Sequence, residues 1–196
     1  MIPITTLLGA YRKGYFPMAV HGGIRWFSPV QRGVIPLDTF RVSRRLARSM
    51  RRGRFRFSVN ECFHEVISAC ASRVDTSGNW IDEEILESYG ALHRAGYAHS
   101  VEVWHDGLLA GGLYGVSLHG AFFGESMFHR VRDASKIALC HLVECLQASG
   151  FTLLDVQWVT PHLRQFGAVE IPRAQYLQEL AESMERVCVF GERLTP

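Results

Sequence analysis

The residues best suited to chemistry lie in the segment 122–157, which reads FFGESMFHRVRDASKIALCHLVECLQASGFTLLDVQ. Glu125 follows a short apolar strand predicted for 121–124, and a second apolar strand contains Asp155 and Gln157. Because side chains alternate across a strand, Asp155 and Gln157 should point to the same side. A carboxylate in an apolar strand costs several kcal/mol to desolvate unless it is hydrogen-bonded or used in a reaction. These residues are therefore the first candidates for proton transfer or charge stabilisation.

Two interpretations of Asp155 remain open from the sequence. In the structural one, its carboxylate accepts hydrogen bonds from backbone amides or an arginine near the strand end. In the functional one, it takes part in a reaction. Structural ion pairs perturb carboxylates as active sites do, so the residue type alone does not decide.

A helix is predicted between the two strands. Asp133 is a suitable N-cap and Gly150 a suitable stop. The apolar stripe at helical spacing consists of Leu139, Leu142, Val143 and Leu146. After the helix, Phe151 and Leu153 are expected on the same strand face as Asp155.

The segment 41–52 predicts a helix with one basic face. Its arginines are Arg41, Arg44, Arg45, Arg48, Arg51 and Arg52. Val42, Leu46 and Met50 are expected on the opposite side. Most basic faces are simply solvated, but six arginines without an acid also suit a phosphate partner. Arg54 and Arg56, on a predicted strand, extend this patch.

Near the N-terminus, residues 2–15 predict a short amphipathic helix that stops at Gly14. Residues 16–36 are rich in Gly, Pro and aromatic residues and predict ordered loop with short strand. Trp26, Phe27 and Pro29 either pack on the core or offer a stacking surface for a nucleic-acid base, which is worth ~1–3 kcal/mol per base.

The remaining pattern indicates an α+β fold with a mixed sheet. Helices are predicted at 60–72 and 82–96, with a polar loop at 73–79 between them. Strands at 99–104, 108–118 and 121–125 follow, and an Asp-Gly turn joins the first two. A helix after residue 160, a strand at 169–171 and a helix at 173–184 complete the order.

Several classes of protein are disfavoured by the composition. The 196 residues suit one large domain or two small ones. The sequence predicts no signal peptide, and the most apolar stretch, 107–124, contains six glycines and argues against a membrane span. Five cysteines without paired spacing indicate reduced thiols and a cytoplasmic location. No metal site is expected, because no HExxH or CxxC pattern occurs. The glycines of AGGLYG are expected to mark a bulge or a close backbone approach.

The stretches AYRKGYFP, WFSP, GYAHSVEVW, GGLYGV, FFGESMF, DASKIAL, LLDVQ and FGAVEIPR together resemble the leucyl/phenylalanyl-tRNA–protein transferase family over about residues 10–180. The resemblance implies a GNAT-like mixed, mainly antiparallel sheet flanked by helices, with a small N-terminal α/β domain. The domains would then be 1–57, containing the basic helix, and 58–196, the catalytic domain.

The resemblance also implies an activity. Such enzymes transfer Leu or Phe from its tRNA to the α-amino group of proteins that begin with Arg or Lys, which marks them for degradation. We expect a cytoplasmic monomer without cofactor. The stretch HRVRDASK lacks the glycine loop by which GNAT enzymes hold coenzyme A. The alternatives are a GNAT-type acyltransferase with another acyl donor and a tRNA-binding module in which Asp155 is structural.

By the same resemblance, Asp155 and Gln157 lie at the reacting centre, with Asp155 handling the amine proton and Gln157 orienting the amine. In a rival mechanism the terminal ribose hydroxyl moves the proton and Asp155 only positions. Glu125 would hold the basic acceptor N-terminus. The apolar pocket for the Leu or Phe side chain would consist of Leu113, Phe122, Met127, Leu139 and Leu154.

The resemblance assigns the tRNA contacts as well. Trp80 and Tyr11 would lie near the terminal adenosine. The phosphate contacts would come from Arg44, Arg48, Arg51 and Arg52. Longer relatives have Trp where this chain has Met18, and Trp26 could compensate for that loss of a stacking ring.

Overall fold

The computed structural model describes residues 1–52, 54–72 and 80–191. Within these ranges the helices are α1 (Ile4–Arg12), α2 (Arg44–Arg52), α3 (Phe63–Ala71), α4 (Glu83–Arg94), α5 (Ala134–Ala148), α6 (Pro161–Arg164) and α7 (Arg173–Met184). The strands are β1 (Phe16–Val20), β2 (Gly23–Phe27), β3 (Gln31–Val34), β4 (Phe55–Val59), β5 (Ala98–His105), β6 (Leu108–Leu118), β7 (Ala121–His129), β8 (Leu153–Gln157) and β9 (Val169–Pro172).

Seven of these strands form one mixed sheet in the order β4-β5-β6-β7-β8-β3-β9. Only β7 and β8 pair in parallel, while the other neighbours are antiparallel. Strands β1 and β2 make a separate two-stranded hairpin. The predicted fold class, a mainly antiparallel mixed sheet flanked by helices, is confirmed.

Two hydrophobic clusters lie on the two faces of the main sheet. The first packs α1, α3, α4 and α7, and the second packs α2, α5 and α6. Successive strand residues alternate between them, as with Leu153 in the first and Leu154 in the second. Residues of β8 can therefore reach either layer.

The β5–β6–β7 meander follows the sequence prediction closely. Asp106 and Gly107 both have positive φ at the first turn, as a tight two-residue hairpin requires. In β6 a Cβ added at Gly115 would lie 2.3 Å from the Phe123 carbonyl oxygen, so a side chain cannot fit. The register shifts between Tyr114 and Gly115. The expected bulge and close approach in AGGLYG are confirmed.

Two predicted helix starts differ in part from the structure: α2 begins after Arg41, whereas α5 begins directly after Asp133 as expected but without the predicted side-chain cap. Helix α2 begins at Arg44 because Ser43 Oγ accepts the amide of Leu46 at 3.2 Å. Val42 thus precedes the helix and is 40% exposed, so its expected place on the apolar side is wrong. Asp133 adopts φ 66° and its side chain makes no cap hydrogen bond.

Asp133 instead faces cations. Its carboxylate lies 3.3 Å from Lys136 Nζ and 3.7 Å from Arg45 Nη2. These charges explain why the carboxylate does not turn back onto the first-turn amides of α5.

Two strand boundaries also differ. Phe151 lies between α5 and β8, where its amide donates to the Leu146 carbonyl at the C-terminal end of α5, and it packs in the second cluster. Its expected place beside Leu153 on one strand face is therefore wrong. Strand β7 does not end near Gly124 but continues to His129, because the long strand β6 pairs with it throughout. The polar loop predicted at 73–79 lies outside the described residues.

The first 57 residues contribute to both sheets. Beyond the β1–β2 hairpin they supply β3, which lies between β8 and β9, and the first part of β4, a strand that continues to Val59 and pairs with β5. The division of domains at residue 57 stays a prediction.

No helix in the described part of the chain is long and apolar enough to cross a membrane. All five cysteines are free thiols: Cys62, Cys70, Cys140, Cys145 and Cys188. Burial raises the pKa of Cys140 and Cys145 to about 12, so neither is a reactive thiolate at neutral pH.

Candidate active site

A cavity of about 630 Å³ lies where β7 and β8 separate. The parallel pairing of the two strands ends at Phe123 opposite Asp155, although both strands continue beyond it. The gap is lined by residues of both hydrophobic clusters, including Tyr114 from the first and Leu139 from the second. A ligand in this cavity would therefore contact residues from both clusters.

Glu125 projects from the bulge in β7 into this cavity. Tyr11 donates a hydrogen bond to its Oε1 at 2.6 Å and Tyr89 donates one to its Oε2 at 3.2 Å. The two tyrosine hydroxyls also hydrogen-bond each other. Both tyrosines are fully buried, so they hold the carboxylate from behind while it lines the cavity.

The pKa of Glu125 lies close to neutral pH. Burial raises its pKa to about 7, and the nearby charge of Asp155 adds to the rise while the tyrosine hydrogen bonds oppose it. Burial also raises the pKa of Tyr11 and Tyr89 well above 10, so both remain donors. A cationic ligand would favour the ionised carboxylate.

Asp155 is held by four hydrogen bonds and has no exposed surface. Its Oδ1 accepts Arg32 Nε and the Gln157 amide, each at 2.9 Å. Its Oδ2 accepts Arg32 Nη2 at 2.6 Å and the Tyr176 hydroxyl at 2.7 Å. Both contacts expected under the structural interpretation of Asp155, an arginine and a backbone amide, are present.

Arg32 is as buried as its partner, with 1% exposure. Its guanidinium lies 4.7 Å from the Phe16 ring centre and 4.5 Å from that of Tyr176, and Nη1 donates to the Gly14 carbonyl at 3.1 Å. Burial alone would lower the pKa of Arg32, but the Asp155 carboxylate raises it above its ordinary value. The pair is therefore a fixed, buried salt bridge directly next to Gln157.

Gln157 ends β8 in the left-handed conformation, with φ 59°. Such strain in a residue other than glycine or asparagine is concentrated at functional sites. The residue lines the cavity and is 7% exposed. Among the residues that the structure describes, its buried Nε2 has no hydrogen-bond partner. An unpaired buried donor costs about 1–3 kcal/mol, so this amide is prepared for a ligand.

The apolar wall contains four of the five residues expected to form the side-chain pocket. Leu113, Met127, Leu139 and Leu154 line the cavity. Phe122 is not part of the lining: it is fully buried and contacts Phe190, with ring centres 5.1 Å apart. Its predicted contact with the substrate has no geometric support, while Leu142, Val156 and Leu163 add to the wall.

The aromatic residues expected near an adenosine are distributed unevenly. Trp80 and Met18 line the cavity, but Trp26 does not. Tyr11 reaches the site only through its bond to Glu125. A tryptophan that the sequence analysis did not select, Trp158, also lines the cavity.

The four arginines expected to bind tRNA are exposed along α2: Arg44, Arg48, Arg51 and Arg52. A smaller cavity of about 310 Å³ lies between α2 and the start of α5. Three cations, Arg45, Arg132 and Lys136, line it together with one carboxylate, Asp133. Three of its residues are shared with the larger cavity: His129, Ser135 and His162. A basic path thus connects the arginine face with the cavity.

Sequence reasoning missed Arg32, Tyr89, Tyr176 and Trp158. A signal for Arg32 was available, since a single arginine before the apolar run Gly33–Ile35 needs a buried partner. The two tyrosines offered only the pattern of ordinary core residues. Within the described ranges, no group of three or more His, Cys, Asp or Glu side chains is placed to hold a metal ion.

Comparison with known proteins adds an independent line of evidence. A family model described as "Leucyl/phenylalanyl-tRNA protein transferase" matches residues 34–181, and the N-terminal domain model of that family matches residues 2–30. Among solved structures, "L-PGS from Bacillus licheniformis" aligns over 82% of this chain and 55% of its own, with 14% identity and a TM-score of 0.43. A ribosomal-protein-alanine N-acetyltransferase from Brucella melitensis aligns over 63% and 89%, with 13% identity and a TM-score of 0.38.

Curated relatives are much closer in sequence. A leucyl/phenylalanyl-tRNA–protein transferase from Rhodopseudomonas palustris (strain TIE-1) is 56% identical over 192 residues, covering 94% of this chain and 84% of the relative. One from Chlorobaculum parvum is 50% identical over 193 residues, covering 97% and 100%. One from Gloeobacter violaceus is 53% identical over 186 residues, covering 94% and 95%. With both family models matched and these identities along nearly its whole length, the chain belongs to the leucyl/phenylalanyl-tRNA–protein transferase family.

Proposed function

We propose that this chain transfers a leucyl or phenylalanyl group from aminoacyl-tRNA to the α-amino group of a protein that begins with Arg or Lys. The observation that carries the proposal is the cavity itself, in which the unpaired amide of Gln157 and the carboxylate of Glu125 face a single apolar chamber. Its volume of about 630 Å³ suits the aminoacylated end of a tRNA.

The apolar wall takes the side chain of the donor. Leu113, Met127, Leu139 and Leu154 offer no polar group, which favours Leu and Phe over polar amino acids. Burying such a side chain is worth ~1.5–3 kcal/mol. With its side chain held there, the donor ester is oriented with its carbonyl toward Gln157.

Gln157 acts on that carbonyl. In the reaction the acceptor nitrogen attacks the ester carbon, a tetrahedral intermediate forms, and the bond to the ribose oxygen breaks. Negative charge develops on the carbonyl oxygen, and the Nε2 amide of Gln157 is the available donor to it. The amine loses one proton and the departing ribose oxygen gains one, so no other reactant is required.

Asp155 acts as a positioning residue in this scheme. Its oxygens already accept four hydrogen bonds, and its partner Arg32 is charged. To take a proton from the amine it would have to release one of these buried donors. Its bond to the Gln157 amide instead holds that residue in its strained conformation. This supports the rival mechanism, in which the ribose hydroxyl moves the proton.

The acceptor and the tRNA use the remaining walls. Glu125 pairs with the cationic side chain of an N-terminal Arg or Lys. The exposed arginines of α2 contact tRNA phosphates, and the basic path through Arg45 and Lys136 guides the tail to the cavity. Trp80 contacts the terminal adenosine. Tyr11 contributes to the site by holding the Glu125 carboxylate. We further infer a monomeric cytoplasmic enzyme whose products are directed to degradation.

The test is transfer of radiolabelled Leu or Phe from charged tRNA to a peptide that begins with Arg, with an Ala-starting peptide as control. We expect transfer to the first peptide only. Gln157→Ala should lower kcat about 10²–10³-fold with little change in KM. Asp155→Asn retains the shape of the side chain but leaves the buried Arg32 without its counter-charge, so it should lower transfer without abolishing it. Absence of transfer by the wild-type protein would refute the function. Complete loss in a folded Asp155→Asn protein would refute the positioning role.

A further inference from the structure

Trp158 lines the cavity, but the proposed function gives it no role. It follows Gln157 directly and lines the same cavity. Although it lies among packed residues, 43% of its surface is exposed. Its ring meets that of Phe16 edge-on, with centres 5.1 Å apart and an angle of 86°, and meets Phe27 at 6.2 Å and 68°. One part of the indole is therefore held while another faces the cavity or solvent.

The backbone of Trp158 is fixed as firmly as its ring. Gln157 turns the chain through its left-handed conformation, and the Trp158 amide bonds to the Val156 carbonyl at 2.7 Å. Gly33 of β3 packs against this turn so closely that an added Cβ would lie 2.7 Å from the Trp158 carbonyl carbon. A ligand stacking on this ring would lose little free energy to ordering it.

Strand β1 connects Trp158 with the other aromatic wall. Phe16, which contacts Trp158, and Met18 lie on the same side of this strand because they are two residues apart. The Ala19 amide bonds to the Trp80 carbonyl at 3.1 Å. Trp26 pairs with Pro17 and therefore lies on the opposite side of the hairpin from Met18.

We propose that Trp158 stacks on the terminal adenine of the donor tRNA and supplies the aromatic surface that Met18 lacks. The inference rests on the proposed function. The acyl pocket belongs to the second hydrophobic cluster, whereas Phe16 and Phe27 pack in the first, so the two ends of an aminoacyl-adenosine have separate walls. Gln157, adjacent to Trp158 in the chain, lines the same cavity, so its unpaired amide and the aromatic surface are offered to one ligand.

The test uses a stable analogue, phenylalanyl-adenosine with an amide in place of the ester, as a competitive inhibitor of transfer from charged tRNA. Its inhibition constant is compared with that of the same analogue without the base. Trp158→Ala should weaken the adenosine analogue about 5- to 150-fold and leave the baseless analogue within twofold. Trp158→Leu retains apolar packing against Phe16 but loses the aromatic face, so it should show the same selective loss.

Two further variants sharpen the result. Trp158→Phe should retain most of the affinity, and Met18→Trp added to Trp158→Ala should restore part of it. Equal weakening of both analogues in Trp158→Leu would indicate a general structural effect and overturn the proposal. So would unchanged binding in both Trp158 variants, or a selective loss in Trp26→Ala instead. Failure of the wild-type protein to transfer would refute the proposed function, whereas these outcomes presuppose a wild-type protein that transfers.

Discussion

At the scale of single residues, the charge of Glu125 near neutral pH is set by its surroundings. Two buried tyrosine hydroxyls hold the carboxylate, yet burial raises its pKa to about 7. As a receptor for a cation Glu125 can be neutral when empty and ionised when occupied, which limits the cost of a buried charge.

This predicts pH-dependent recognition of the acceptor. A peptide beginning with des-amino-arginine keeps the guanidinium but has no α-amino group to titrate, so its inhibition constant reports on Glu125. Below pH 7 the carboxylate of Glu125 is mostly protonated and above pH 7 it is mostly ionised. We expect the inhibition constant to fall as the pH rises from 6 to 8, with a midpoint near 7.

Glu125→Gln should bind this inhibitor weakly and without that pH dependence. A neutral control inhibitor, with norleucine in place of des-amino-arginine, should show a flat profile for the wild-type protein. A wild-type profile that is flat for the cationic inhibitor would contradict the assignment of Glu125 to the acceptor.

At the scale of elements, the four-residue strand β3 does the most for the site. It brings Arg32 beneath Asp155, although the two residues are 123 positions apart in the chain. This strand is short, mixes polar and apolar residues and has prolines close to both ends. Its sequence therefore shows no hydrophobic periodicity, and its pairing with β8 and β9 is seen only in the structure. The meander and α5 were predictable because long periodic segments show their type clearly in the sequence, and the short strand β8 was predictable as an apolar run after the helix stop at Gly150. Glu125, Asp155 and Gln157 were selected because polar residues interrupted apolar strands.

The remaining differences have the same origin. The tyrosines around Glu125 could not be selected, since a tyrosine packed in the core and one bound to a carboxylate that lines a cavity have identical sequence patterns. Phe122 was expected in the pocket and is packed on Phe190 instead, because alternation gives the layer of a residue but not its neighbour. Distant pairings therefore decide which of the equivalent apolar residues line a cavity.

The close fit of β3 to the end of β8 gives an element-scale prediction. In Gly33→Ala the new Cβ would lie 2.7 Å from the Trp158 carbonyl carbon and 2.9 Å from the Val159 amide nitrogen. Both are backbone atoms, so the strands must separate. We expect a loss of roughly 1–3 kcal/mol in the free energy of unfolding by urea, together with a raised KM for the donor.

Gly23→Ala is the matched control for this variant. It lies in the nearby strand β2, its φ is not positive, and an added Cβ would meet no atom within 4 Å. Its urea midpoint and its KM should stay close to those of the wild-type protein. Equal behaviour of the two variants would show that the contact between β3 and Trp158 does not position the site.

At the scale of the whole molecule, the distribution of charge between the two faces of the main sheet matters more than the net charge. The net formal charge is only +2, too small to attract a tRNA by itself. Helix α2 lies with α5 on one face of the main sheet, and the small basic cavity adjoins it there. The other face, with α1, α3, α4 and α7, supplies the tyrosines that hold Glu125. The arginines of α2 and the tyrosines that hold Glu125 thus lie on opposite faces of the main sheet.

This arrangement predicts that the salt dependence of tRNA binding resides in α2. Each arginine that contacts a phosphate releases about one counterion, so its removal should reduce the slope of log K against log salt by roughly 0.7–0.9. The measurement is filter binding of charged tRNA at salt concentrations from about 50 to about 200 mM. We expect the smaller slope for each of four alanine variants, at Arg44, Arg48, Arg51 and Arg52.

Arg94→Ala is the matched control, because Arg94 is also an exposed helical arginine but lies at the end of α4, in the opposite layer. Its removal changes the net charge by the same amount, so an effect of total charge would appear equally in this variant. A slope that falls for the α2 variants and not for Arg94→Ala would locate the tRNA backbone on α2. Slopes that stay unchanged in all of them would mean that the arginines of α2 are solvated and that the tRNA approaches the cavity from another side.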